Sequence, residues 1–249
     1  MFIEGLPFDT DAGIASRARC GLVTLATDQT IEEEFRRIVP GAGIGLYHTR
    51  LWNDATIDAT TLAAIEARIG PAVELLLPGD PFDVIAFGCT SATMVIGDAR
   101  IDEAIRRVKP DARVTNPLRA MAEAFRVHEA RRVAVLTPYV RPVNEGIARH
   151  FAGLDLEVVS FGSFTEPDDR TVARITPDSV VRAALRVLEG RPVDALFVSC
   201  TSVRLLDAVE RIEAASGTLT TSSNHAMAWH TLRLAGVPTS GRGPGRLFG

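Results

Sequence analysis

Short apolar runs alternate along the chain with stretches of helical periodicity, and Gly, Pro, Asn and Asp punctuate the joins. Runs at 20–26, 44–49, 84–87, 132–136, 156–161 and 195–198 have the length and β-branched content of buried strands, with a shorter run near 219–221. Helical periodicity fills 61–76, 101–108, 118–127, 143–151, 179–188, 203–215 and 225–234. An earlier helix begins after Thr30, where Thr30 and Glu33 have the spacing of a capping box. The last helix follows Ser222-Ser223-Asn224, each a good N-cap residue. Strands alternating with helices predict βαβ units and parallel sheets.

Two of these strands end alike. Phe82-Asp83-Val84-Ile85-Ala86-Phe87-Gly88-Cys89-Thr90-Ser91 is matched by Val193-Asp194-Ala195-Leu196-Phe197-Val198-Ser199-Cys200-Thr201-Ser202. Each is an Asp, an apolar run, a small residue and then Cys-Thr-Ser. A second match, Leu22-Val23-Thr24-Leu25-Ala26-Thr27-Asp28 with Val133-Ala134-Val135-Leu136-Thr137-Pro138-Tyr139, falls at nearly the same offset. The period is far longer than a solenoid repeat and implies two copies of a compact α/β unit. The expected architecture is two pseudo-symmetric flavodoxin-like domains, each a mainly parallel sheet with flanking helices and a cleft between them. Residues 1–115 and a C-terminal helix at about 222–236 would form the first domain, 116–221 the second. The Gly- and Pro-rich stretch 237–249 is expected to be loose or draped on a partner subunit.

Composition narrows the function. A chain of 249 residues with net charge −4 has no basic stripe for nucleic acid. No apolar run is long enough to span a bilayer, and the first residues lack a basic segment leading into an apolar one, so a cytoplasmic protein is expected. Three cysteines, an odd number, read as reduced thiols. Lys109 is the one lysine and sits where a helix should stop, which argues against pyridoxal phosphate chemistry. Gly41-Ala42-Gly43-Ile44-Gly45 follows a helix and precedes a strand, the reverse of a dinucleotide-binding loop. His225 and His230 are too far round one helix to share a metal ion. No metal or cofactor is expected.

Ligands of parallel sheets bind at the carboxyl ends of the strands. Four strand-end loops then line the cleft: Thr27-Asp28, Cys89-Thr90-Ser91, Thr137-Pro138-Tyr139 and Cys200-Thr201-Ser202. At a strand-to-helix turn the helix N-terminus should lower a thiol's pKa, and Thr90, Ser91, Thr201 and Ser202 supply hydroxyls for a carboxylate or enolate. Facing turns would place the two sulfurs roughly 7 Å apart, one on each side of a bound carbon. Such a pair can act on both faces of a carbon beside a carboxylate, one sulfur removing a proton or adding to carbon while the other supplies a proton. Cys20, outside the repeat, is expected to be structural. Asp83 and Asp194 are expected to pair locally with the backbone.

These residues carry a resemblance. Gly88-Cys89-Thr90-Ser91, Thr137-Pro138-Tyr139, Val172-Ala173-Arg174-Ile175, Ser199-Cys200-Thr201-Ser202 and Ser222-Ser223-Asn224 running into Trp229-His230-Thr231-Leu232-Arg233 occur in the order seen in the aspartate/glutamate racemase superfamily. Within it, the chain resembles the maleate cis-trans isomerase and arylmalonate decarboxylase group over nearly its whole length. A cysteine at both positions is similar to the isomerases and racemases; the decarboxylases usually have glycine at the first. The resemblance implies a nucleophile at Cys89, a second working thiol at Cys200, carboxylate binding by Thr90, Ser91, Tyr139 and Thr201, and a homo-oligomer.

One departure bears on the substrate. Where maleate isomerases carry a serine-asparagine pair after the first strand, this chain has Thr27-Asp28. An ionised aspartate only accepts hydrogen bonds, so Asp28 would repel a second carboxylate and favour an amino or amide N–H. The segment Leu25-Ala26-Thr27-Asp28-Gln29-Thr30 resembles the ectoine-utilisation proteins of this group. The leading expectation is a cofactor-independent isomerase or racemase of a small carboxylate. The alternatives are an arylmalonate-type decarboxylase using Cys200, and a two-domain ligand-binding module without catalysis.

Overall fold

The computed structural model describes residues 1–54 and 59–249. Among them, two four-stranded parallel sheets share one plan. The first holds β1 (Ala18–Leu25), β2 (Ile44–Leu51), β3 (Val84–Gly88) and β4 (Arg113–Thr115) in the order β2-β1-β3-β4. The second holds β5 (Arg132–Thr137), β6 (Glu157–Ser163), β7 (Ala195–Val198) and β8 (Leu219–Ser222) in the order β6-β5-β7-β8. β1 corresponds to β5 and β3 to β7, so the repeated segments are the central strands of the two sheets. Both faces of a parallel sheet are covered by helices, and every residue of β3 and β7 is buried. The expected α/β architecture of two similar halves is what the chain adopts.

In the first half α1 (Ile31–Ile38), α2 (Ala59–Ala63), α3 (Glu66–Glu74), α4 (Thr90–Ile96) and α5 (Asp98–Arg106) make the crossovers, and α6 (Pro117–Val127) leads to the second sheet. There α7 (Arg141–Ala152), α8 (Asp169–Val172), α9 (Pro177–Leu188) and α10 (Val209–Ser216) do the same, and α11 (Ser223–Leu234) closes the order of helices. Ser222 caps α11 by accepting the His225 N–H at 3.2 Å. This helix is buried along most of its length and packs on α1, α6, β3 and β4 of the first half as well as on β8. Apolar side chains on one side of the first sheet, among them Cys20, Leu22 and Phe35, belong to the same core as Val135, Phe197 and Trp229 of the second half and α11. Cys20 is therefore a core residue.

Asp83 and Asp194 play equivalent local parts. Asp83 accepts the Arg19 N–H at 2.7 Å, and Asp194 accepts those of Arg131 and Arg132 at 2.9 and 2.7 Å, tying β1 to β3 and β5 to β7 at their amino ends. Lys109 donates to the carbonyls of Leu77 and Asp80, away from the strand carboxyl ends.

Several local expectations differ from the structure. The helix expected over 61–76 is two helices, α2 and α3. The capping box does not form: the Thr30 hydroxyl donates to the Ser202 carbonyl at 2.9 Å, and Asp28 Oδ1 accepts the N–H groups of Thr30 and Ile31 at 2.8 Å each. The helix expected over 203–215 starts only at Val209, because the Glu34 carboxylate on α1 accepts the Leu205 and Leu206 N–H groups at 2.9 and 3.1 Å and holds that backbone open. The tail is docked rather than loose. Leu247 and Phe248 are buried in a 3-10 turn (Arg246–Phe248), and Arg242 donates to the carbonyls of Val39 and Pro40 at 2.9 and 2.8 Å. Residues 1–14, by contrast, are exposed, with Phe2, Ile3, Leu6 and Phe8 open to solvent. Among the described residues no helix is long and apolar enough to cross a membrane.

Candidate active site

Cys89 follows β3 directly and is the N-cap of α4; its Sγ accepts the Ala92 N–H at 3.4 Å and lies 3.7 Å from Ser91 Oγ. The approach to it needs a glycine. A Cβ on Gly88 would lie 2.6 Å from Ile31 Cδ1 and 3.2 Å from the Val23 carbonyl, so any larger residue would have to displace the Ile31 side chain and crowd the Val23 carbonyl.

Cys200 follows β7, but its turn is built differently. Its φ of +91° lies in the left-handed region, which strains a residue with a Cβ and in such positions accompanies function. Its N–H donates to Ser223 Oγ at 3.1 Å, and its Sγ accepts the Ser202 N–H at 3.4 Å. The expectation of two matching strand-to-helix turns thus holds for Cys89 alone. No helix starts at Thr201.

Ser223 joins the two cysteine loops. Its hydroxyl meets Thr90 Oγ1 at 2.8 Å while accepting the Cys200 N–H, and it is fully buried at the start of α11. One side chain outside both repeats therefore sets the spacing between the halves of the site.

A cavity of about 260 Å³ opens at this junction, a size suited to a small ligand. Of the ten residues expected at the site, Thr27, Asp28, Cys89, Thr90, Ser91, Tyr139, Cys200, Thr201 and Ser202 line it. Thr137 does not. Its buried hydroxyl donates to Asn144 Oδ1 at 2.6 Å and accepts the Tyr139 N–H at 3.2 Å, so it shapes the turn that carries Tyr139. The Tyr139 carbonyl is clamped further by Asn144 Nδ2 at 2.7 Å and Ser163 Oγ at 2.5 Å, and its phenol lies against the Cys200 thiol.

Asp169 was not anticipated. It stands at the start of α8, in the loop that leaves the carboxyl end of β6, and accepts from Ser202 Oγ at 2.6 Å and Thr27 Oγ1 at 3.1 Å. Asn53, after β2, donates to Thr27 Oγ1 at 3.1 Å. Applying the strand-end rule to β2 and β6 as well as to the central strands would have found both.

The electrostatics oppose the expected thiol activation. Burial pushes the Cys89 thiol up to about 11 and the Cys200 thiol up to about 12, and the charge of Asp169 adds to both. The N–H groups donated to each sulfur, and the Tyr139 hydroxyl beside Cys200, pull the other way but lose. Removing the thiolate from water costs more than these donors return. Among the described residues no group of three His, Cys, Asp or Glu side chains is placed to hold a metal ion. His225 is engaged by the Thr221 hydroxyl and the Pro244 carbonyl, and His230 by the Thr115 hydroxyl.

Comparison with known proteins places the chain in a family. The arylmalonate decarboxylase family model matches residues 55–248. The maleate isomerase of Nocardia farcinica is 30% identical over 241 residues, covering 92% of this chain and 95% of that protein. The arylmalonate decarboxylase of Bordetella bronchiseptica is 34% identical over 131 residues, 52% of this chain and 55% of that one. Among solved structures, a variant of the Nocardia farcinica maleate cis-trans isomerase with a covalently bound succinylcysteine intermediate superposes with a TM-score of 0.82 at 28% identity, covering 93% of this chain and 98% of that one. Since the family model spans most of the chain and the relative nearly all of it, the protein belongs to the arylmalonate decarboxylase family, within the group of cysteine enzymes that also holds the maleate isomerases.

Proposed function

We propose that the protein is a cofactor-independent isomerase of a small carboxylate that works through Cys89 and Cys200. The observation that carries this reading is the pair of thiols lining one cavity from equivalent strand ends of two similar halves. In the reactive state the pair holds one proton. The Cys89 sulfur adds to one carbon of a substrate double bond, forming a C–S bond as the π bond breaks, and the Cys200 thiol gives its proton to the neighbouring carbon. The new single bond rotates, the Cys200 thiolate takes back a proton, and the C–S bond breaks to expel the Cys89 thiolate. Hydroxyls of Thr90, Ser91, Thr201 and Tyr139 are the donors for the carboxylate that gathers charge. In a racemase version the same thiols exchange a proton across the two faces of one carbon.

The experiment is mass spectrometry of the Cys200→Ser variant after incubation with small unsaturated carboxylates, maleate included. A substrate-sized mass increment on the peptide bearing Cys89, absent in Cys89→Ala, is expected. Near-normal turnover of the true substrate by Cys89→Ala would overturn the isomerase reading. The second reading, a decarboxylase with Cys200 as the proton donor, draws on the family match and would show as carbon dioxide release that survives loss of Cys89. The narrower assignment to ectoine utilisation rests on the Leu25–Thr30 segment and forms the specific end of this proposal. The expected homo-oligomer and cytoplasmic location belong to it as well.

A further inference from the structure

The charge of the cavity is lopsided. Asp28 and Asp169 line it together with the exposed Asp54 and Asp168, and among the described lining residues Arg170, itself exposed, is the one cation. A second carboxylate bound here would sit among these acids.

Asp28 and Asp169 also have unused capacity. Asp28 is 2% exposed, and its Oδ1 is taken up by two backbone N–H groups. Its Oδ2 is buried without a hydrogen bond of ordinary geometry; burial and the charge of Asp169 push the carboxyl up, against the two backbone N–H groups and the nearby Thr201 hydroxyl. Asp169 receives one hydroxyl on each oxygen, from Ser202 and Thr27. A carboxylate oxygen accepts about two hydrogen bonds, so each retains an open lone pair. The wall of the cavity is thus rich in acceptors that want an N–H donor.

We propose that Asp28 and Asp169 recognise an ammonium or similar N–H-bearing cation, so that the preferred substrate is a small carboxylate carrying a nitrogen cation rather than a second carboxylate. The inference rests on the cavity being the reaction site. An ammonium would bring its protons to the open lone pairs of Asp169 beside the buried Asp28, whereas a second carboxylate would crowd these acceptor oxygens in a largely dry pocket. Thr27 orients Asp169 through one hydrogen bond while accepting another from Asn53, so the acceptor is held in place before the ligand arrives.

The test is calorimetric binding of two unreactive probes of similar size, succinate and β-alanine, to the full-length protein, to Asp28→Asn and to Asp169→Asn. Asn at position 28 can keep an acceptor for the two backbone N–H groups, and Asp169→Asn gives a second route should that variant fold poorly. Wild type should bind β-alanine at least about tenfold more tightly than succinate, the lower end of what one misplaced charge costs in a partly dry cleft. Each substitution should narrow that ratio. Tighter binding of succinate by wild type, or a ratio unchanged in both variants, would overturn the proposal. None of these readings needs turnover, so the failure of Cys89 to form an adduct would leave them intact.

Discussion

At Cys89 and Cys200 several groups compete for one proton. Burial raises both thiols and the Asp169 charge raises them further, while donated N–H groups oppose it. With Cys89 at about 11, roughly one molecule in a thousand carries the thiolate at pH 8. A thiol raised above its ordinary value is mostly protonated at neutral pH, and its thiolate grows as pH rises. Alkylation of Cys89 by iodoacetamide should therefore climb about tenfold per pH unit between pH 7 and 10, as peptide mapping would follow. Asp169→Asn should speed alkylation at fixed pH, since it removes a charge that holds the proton on. A rate already flat above pH 8 would mean the site stabilises the thiolate instead. A proton-retaining pair suits a reaction in which one sulfur must arrive as an acid.

Among the elements, α1 reaches from the first half into the second. Its Glu34 is buried and accepts from Leu205, Leu206 and Asn224, so a helix of the first half organises the segment after Cys200 and the start of α11. Burial pushes this carboxyl up to about 7 against the three donors. A raised carboxyl favours the protonated native form, so its stabilising contribution is complete below about pH 4.5 and is lost as pH rises through 7. Wild-type stability in urea should fall by about 2–3 kcal/mol more than that of Glu34→Gln between pH 5 and pH 8. Glu34→Ala, which strands two buried backbone N–H groups, should cost about 3 kcal/mol or more at any pH in that range. Equal pH slopes for wild type and Glu34→Gln would show that Glu34 stays ionised throughout.

For the whole molecule, the C-terminal tail works as a clasp. Arg242 holds the end of α1 through the Val39 and Pro40 carbonyls, Arg246 binds Glu213 and the Gly217 carbonyl at α10, and Phe248 packs on the His225 ring at 5.0 Å between centroids. Burying Leu247 and Phe248 stabilises by about 4 kcal/mol before any hydrogen bond is counted. Removing residues 237–249 should lower Tm by roughly 8–16 °C for a chain of this size, measured by calorimetry. A loose tail would leave Tm unchanged. Because the clasp spans α1 and α10, its loss should also loosen the joint at which the two cysteine loops meet.

Local pattern and internal repetition were enough to establish the α/β class, the two similar halves, the seven strands named from apolar runs and the pairing of Cys89 with Cys200. Parallel strands buried on both faces must be continuous apolar runs, and duplicated halves repeat their loops, so both features are written in the order of residues. What the order of residues could not convey was which groups meet across the halves. Ser223 bridging Thr90 and Cys200, Asp169 bridging Thr27 and Ser202, and Glu34 capping Leu205 and Leu206 join positions far apart in the chain. The raised thiols have the same origin. A helix N-terminus is visible in sequence, but desolvation and the field of Asp169 exist only once the halves close over the cavity, and those two terms decide where the protons sit.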